Sequence, residues 1–336
     1  MQYITPHQHA AERIAVHPSR RQHHVEPISA PLHVITVIEN PNRYYVRYKL
    51  YEAFERMVVD SGAILHTVEL ALRDRHHEIT RPDDPFHIQL RSPSQLWHKE
   101  NLINIGISRL PADWEYVAWV DADIIFTRPD WVFETLHQLQ HYHVVQMWSH
   151  AQDLGPQFQP LGSTKSFMFS YSTEPTMPED PSNYYSGAGR IWHPGYAWAA
   201  RRSAISDLGG LGDIGILGSS DRHMACALIG RVGASLHMNL HPNYKSYWER
   251  WQERAEQYVK RNVGYVPGTI LHNFHGAKRN RQYSSRWKIL IDNKFDPDVD
   301  IKKDPQNVWQ LTDHNWKLRD DIRKYFVERN EDSIDL

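Results

Sequence analysis

Two aspartates two residues apart, Asp121 and Asp123, follow the apolar run Glu115–Val120 and precede Ile124–Phe126. Carboxylates this close repel unless both face water or share a cation. An apolar strand that runs into Asp-Ala-Asp puts the pair at the carboxyl end of a sheet, where open α/β sheets bind ligands. Oxygen ligands suit Mg²⁺ or Mn²⁺, ions often shared between carboxylates and diphosphate oxygens. A solvated turn after a strand is the bland alternative.

Three later segments offer partners. In Pro194–Arg202, Gly195 permits a close backbone approach. Trp198 there offers a flat face to a sugar or base, or fills the core of a buried strand. In Gly218–Met224, which opens a helix, Asp221 is either a base held on a rigid platform or an N-cap. His223 is the reserve base. In Leu271–Arg279, His272 and His275 are candidate metal ligands and Lys278 a candidate anion contact. Positions 272 and 275 face opposite sides of an unbroken strand, so both reach one ion only if the strand breaks at Phe274.

The elements that must position these residues are legible from periodicity. Residues 31–41 read as a buried strand and 43–60 as an amphipathic helix stopped by Gly62. Ala63–Leu72 reads as a second strand, and this β-α-β order predicts a parallel α/β sheet. Residues 73–92, charged and Pro-rich, read as a loop. A helix over 94–109, capped by Ser94, leads to the strand 115–120. Trp131–Leu139 reads as a helix and His143–Trp148 as a strand. Residues 151–190 read as one long functional loop. A helix near 220–230, a strand at 268–274 and a helix near 314–329 complete the pattern. The chain thus divides into an N-terminal extension (1–30), a domain (31–290) and a tail packing on it (291–336).

Composition narrows the function. The 336 residues carry a net charge of −2, so the chain as a whole is no generic polyanion binder. A single Cys excludes an intramolecular disulfide and a thiolate zinc cluster. No run nears 18 uncharged apolar residues, so no membrane span and no membrane partner are expected. The first residues lack the apolar stretch of a secretory signal, which predicts a cytoplasmic protein. Aromatic residues reach 12%, and some are expected to line a pocket for flat ligands. Residues 241–290 hold ten basic against three acidic side chains, interleaved with Tyr244, Tyr247, Trp248, Trp251 and Tyr283. Such a face suits phosphate contact with base stacking, so DNA is a candidate partner; a solvated helix is the rival reading.

In order and spacing, these segments resemble nucleotide-sugar-dependent glycosyltransferases of the GT-A fold over roughly 31–290. The resemblance implies a mixed, mostly parallel sheet flanked by helices. It implies that Asp121 and Asp123, with His272 or His275, hold Mn²⁺ or Mg²⁺ on the diphosphate of a nucleotide-sugar, with a UDP-sugar favoured; the His272-to-Lys278 spacing, similar to that of retaining members, slightly favours His272. Ala122 and Lys278 would contact the donor, as would Glu39, Asn40, Arg43, Lys99 and Asn101. Gly195, Trp198 and His223 would line the acceptor side. Asp221 would deprotonate the acceptor with inversion; Ser220 stands where the family has a second acidic residue. Should Asp221 lie far from the acceptor, retention gains. Arg281-Gln282-Tyr283-Ser284-Ser285-Arg286 and Phe295-Asp296-Pro297 further resemble a phage-encoded and bacterial group, which implies a hydroxymethylated pyrimidine in DNA as acceptor and, for a phage protein, the host cytoplasm. A glycan or protein acceptor is the alternative. A nucleotidyltransferase fits poorly, because Glu39–Tyr45 lacks the glycines of a triphosphate loop. A non-catalytic nucleic-acid-binding protein is the remaining rival. Oligomeric state is not legible.

Overall fold

The computed structural model describes residues 30–174 and 192–336. Most of the N-terminal extension and positions 175–190 of the expected long loop lie outside the described residues.

Strand β1, Leu32–Glu39, is buried almost throughout, as its β-branched run requires. Helix α1, Tyr45–Asp60, buries Tyr51, Phe54 and Val58, a spacing that lays one face on the sheet. Gly62 at φ +79° lets the chain turn into β2, Ile64–Leu72, parallel to β1. Residues 73–92 are not all loop, because His87–Ser92 forms β3, a parallel edge strand on β2. Its inward residues Ile88, Leu90 and Ser92 alternate with polar neighbours, and the charged stretch before it hides that short signal.

Helix α2, Lys99–Ser108, starts later than Ser94 and leads to β4, Tyr116–Val120, parallel to β1 on its other side. Gly106 lets α2 lie close: a Cβ there would sit 2.9 Å from Ile35 Cγ2. Past Asp-Ala-Asp the chain leaves this sheet as β5, Ile124–Phe126. Helix α3, Trp131–His141, and β6, Val144–Gln146, follow. The expected 151–190 loop is largely ordered where described. It holds the hairpin β7, His150–Leu154, with β8, Pro160–Ser166, and helix α4, Phe167–Thr173. Polar, Gly-rich strand residues on an exposed hairpin masked its periodicity.

Strands β9, Trp192–His193, and β10, Ala197–Arg201, come next, then helices α5, Arg202–Leu208, α6, Ser220–Leu228, and α7, Pro242–Arg254. Strands β11, Val263–Tyr265, and β12, Thr269–His272, complete the two main sheets. The seven-stranded sheet runs β11-β6-β10-β4-β1-β2-β3 and the five-stranded one β5-β12-β7-β8-β9. In the larger sheet only β10 runs antiparallel to its neighbours. This mixed, mostly parallel, helix-flanked α/β sheet is the architecture expected of the GT-A type.

Successive strand residues serve opposite faces. Ile35, Val117 and Trp119 enter one apolar cluster, while Val34, Ala118 and Val120 enter the other. The last helix, α8, Trp316–Glu328, buries Leu318, Ile322, Tyr325 and Phe326 in the first of these clusters. Cys226, on α6, is fully buried there too.

Candidate active site

Asp121-Ala122-Asp123 is the hinge between the two sheets, with β4 ending at Val120 and β5 beginning at Ile124. Register does the rest. His272 on β12 pairs with Ile124 on one side and Asp153 of β7 on the other. The strand ends at His272, and Asn273 turns away by donating its backbone N–H to the Asp123 carbonyl at 2.8 Å. That break lets His275 swing to the same side as His272. One potential ligand atom each from Asp123, His272 and His275 then lies within 4.8 Å of the others.

The donor set fits a divalent ion. His272 Nδ1 lies 2.8 Å from Asp153 Oδ1, which turns Nε2 toward Asp123. That Nε2 and Asp123 Oδ1 are buried and have no hydrogen-bond partner among the described residues. Orphaned polar atoms of this kind are costly unless something binds them. His275 Nε2 has the converse problem, with Asp123 Oδ2 at 2.8 Å and Arg281 Nη2 at 2.7 Å. One ring nitrogen cannot both donate to a carboxylate and accept from a guanidinium. A cation among these atoms would give the two orphaned atoms a partner and separate His275 Nε2 from Asp123, with Arg281 turning from the lone pair the cation takes. Burial lowers His272 to a pKa of about 4, so its ring is neutral and its lone pair available.

The two aspartates have opposite surroundings. Burial raises Asp121 above the usual carboxylate range, although its ion pair with Lys99 opposes the shift. Asp123 is held well below that range: burial opposes, but His275, then His272 and Arg281, prevail. Asp153 is also held low against burial, by His272 and by Lys278.

One cleft takes in Glu39, Asn40, Lys99, Glu100, Asp121, Ala122, Asp123, Asp221, His272 and His275. Glu39 is engaged by the His98 backbone N–H at 2.9 Å and by the ring Nδ1 at 2.6 Å. The Asn40 amide closes a turn on Tyr44. Asp221 stands in the first turn of α6, entered through the left-handed Gly218 and Ser219. Gly195 leaves room for it, since a Cβ at 195 would lie 2.7 Å from Asp221 Oδ2. Its neighbour Tyr196 stacks on His193, ring centroids 4.0 Å apart, and packs beside His272.

Several expected contacts are not brought together. Trp198 is no acceptor platform: it is 5% exposed, in the core, and its indole N–H goes to the Pro194 carbonyl. His223 is no reserve base. It is fully buried between Ser235 Oγ and Tyr244 Oη, and burial pushes its pKa well below the ordinary value. Arg43 is exposed and reaches Glu78 at 2.7 Å, at the end of β2 rather than in the cleft. Asn101 is buried and structural, bonded to Asp213 and the Asn307 carbonyl. Lys278 is exposed and touches the site through Asp153. The aromatics proposed to stack on bases are mostly core: Tyr244, Trp248 and Trp251 are at most 2% exposed. Of the five, only Tyr247 and Tyr283 are half-buried, and Tyr283 lines the cleft.

Other cleft residues were not singled out by the sequence. Arg47 projects from α1, and Arg329 and Glu331 come from the chain end. Arg281 and Arg286 are buried at the cleft, and Arg281 Nε has no hydrogen-bond partner. In the sequence both belong to the basic stretch and to the Arg-Gln-Tyr-Ser-Ser-Arg segment, neither of which implies a role in the cleft. Glu100 is 4% exposed. Burial, aided by Asp221 and Asp121 and opposed by Lys99, raises it to about 8.

No protein-family profile matches the chain, and no curated protein matches it in sequence. Several solved structures are distantly similar to it. The catalytic domain of Drosophila β1,4-galactosyltransferase 7, in complex with xylobiose, is 14% identical. That match covers 84% of this chain and 92% of that one, with a TM-score of 0.37. TarS of S. aureus is 8% identical over 77% of this chain and 65% of that one, TM-score 0.41. A glycosyltransferase involved in glycosylation of the major capsid of PBCV-1 is 8% identical over 76% and 99%, TM-score 0.31. Among the described residues, no helix is long and apolar enough to cross a membrane.

Proposed function

We propose that this chain is a metal-dependent glycosyltransferase that moves a sugar from a UDP-sugar to an acceptor hydroxyl with inversion. The observation that carries this is the convergence of Asp123, His272 and His275, two of their atoms orphaned, in the cleft that also holds Asp221. Mn²⁺ or Mg²⁺ held by these three residues would neutralise charge on the departing diphosphate.

The chain's own residues account for the remainder. Arg281 and Arg286 present guanidiniums to the same cleft and suit a diphosphate, for which planar paired donors are well shaped. Lys99 keeps Asp121 charge-balanced. Asp221, held on α6 with clearance from Gly195, takes the proton of the acceptor hydroxyl. The hydroxyl oxygen bonds to the anomeric carbon as the carbon–diphosphate bond breaks on the opposite face, with its electron pair leaving on the diphosphate. The acceptor side is shaped by Pro194 and Tyr196 in place of Trp198. Hydroxymethylated DNA and glycans both present such a hydroxyl.

The test is a thermal-shift panel of nucleotide-sugars with Mn²⁺ and with chelator. A ligand at 100 times its Kd stabilises by about 2.7 kcal/mol, so a metal-dependent shift with a UDP-sugar is expected. Transfer to hydroxymethylated DNA and to glycans then names the acceptor, and the product's anomeric configuration by NMR tests inversion. A salt-sensitive shift with DNA and none with any donor would replace this reading with a nucleic-acid-binding protein.

A further inference from the structure

We propose that Glu331 is a positioning residue for His275, so that the chain end is a working part of the metal centre; this rests on the metal-centre reading above. After α8 the chain doubles back beneath the cleft. Asp332 accepts the Tyr45 and Val46 backbone N–H groups at the start of α1, each at 2.9 Å. The backbone of 330–331 presses on Gly276, the residue after His275. A Cβ at 276 would lie 2.9 Å from both the Asn330 carbonyl oxygen and Glu331 Cα. The tail is therefore seated on the turn that carries the ligand.

Glu331 is 2% exposed and is a hub. Its Oε2 lies 2.5 Å from Arg47 Nε and 3.5 Å from His275 Nδ1, and its Oε1 lies 2.6 Å from Arg329 Nε. Arg281 Nη2 is 2.7 Å from His275 Nε2, and a guanidinium only donates. Nε2 also faces Asp123, so a His275 that binds a metal through Nε2 carries its ring proton on Nδ1, the atom facing Glu331. A carboxylate at Nδ1 fixes the tautomer and plane of a metal-binding imidazole. Asp153 stands closer to the Nδ1 of His272, at 2.8 Å, than Glu331 does to that of His275, so each histidine faces its own carboxylate, one from a strand and one from the segment after α8.

The test titrates Mn²⁺ alone into the full chain, following free Mn²⁺ by EPR, with the His275 ring nitrogens observed by ¹⁵N NMR. Glu331→Gln is expected to weaken Mn²⁺ binding about 10–100-fold and to turn a single Nδ1–H tautomer into a mixture. In a His275→Ala background the same change is expected to leave the weakened affinity where it is. Equal weakening with and without His275, or none with it present, overturns the proposal. Should Glu331→Gln not fold, Gly276→Ala keeps every charge but displaces residues 330–331. Wild-type Mn²⁺ affinity in that variant overturns the proposal, and a loss of similar size supports it. A wild-type chain that binds no Mn²⁺ fails the metal-centre reading and this inference together. Mn²⁺ held equally by wild type and Glu331→Gln fails this inference alone.

Discussion

The two carboxylates of Asp-Ala-Asp are two residues apart in sequence and belong to different electrostatic regions. Asp121 looks toward α2 and α6, where Lys99 is its counter-ion and Glu100 and Asp221 crowd it. Asp123 looks toward β12, where two histidines and Arg281 hold it ionised and one oxygen is left over. The first region is already neutralised by the protein. The second leaves an Asp123 oxygen and the His272 Nε2 without a hydrogen-bond partner among the described residues. A D-x-D pair is therefore not two equivalent ligands, and its inner and outer carboxylates should fail differently.

The largest expected difference is between Asp123→Ala and Asp121→Ala. Asp123→Ala abolishes Mn²⁺ binding by calorimetry, and donor turnover with it, while the chain stays folded. Asp121→Ala keeps measurable Mn²⁺ binding, because its carboxylate is paired with Lys99. Equal loss in both variants would erase the distinction. Next in size, Asp221→Asn lowers kcat about 10²–10⁴-fold with Mn²⁺ affinity unchanged. A loss of Mn²⁺ binding there would merge the two regions into one. Asp153→Asn comes third, weakening Mn²⁺ about 10–100-fold by freeing the His272 ring.

The smallest effect is on stability. Glu100 is raised to about 8 by burial, so the folded chain holds a proton that the unfolded chain releases in the ordinary carboxylate range. That stabilisation is complete below the ordinary range and is lost as pH rises through about 8. Glu100→Gln cannot ionise, so its melting temperature should fall less than wild type's as pH is raised from about 6 to about 9. Parallel melting curves would mean that Glu100 is ionised at neutral pH.

The same contrast explains what the sequence could show. The Asp121–Asp123 pair, the two histidines and Asp221 sit at ends of strongly patterned strands and a helix, so position in the pattern implied position in space. Strands β1, β2 and β4 were legible because their apolar runs are long. β3 was not, since three inward residues within a charged stretch carry too little signal. Direction was also lost. Trp198 and Trp248 are aromatic at plausible places, yet nothing in a one-dimensional pattern tells an inward face from a ligand face. Arg47, Arg329 and Glu331 were invisible for a simpler reason, because residues 47 and 331 meet only after folding.

The burial of Cys226 has a practical consequence. It is the chain's single cysteine, sealed in α6 with its thiol pushed up to about 12 by burial. Thiol reagents therefore have no ready target, and oxidants cannot crosslink copies through disulfides without unfolding them. A cysteine introduced at Phe158, 72% exposed at the tip of the β7–β8 hairpin, would be the only accessible thiol. A dye attached there would report on that hairpin, with no native cysteine to remove first.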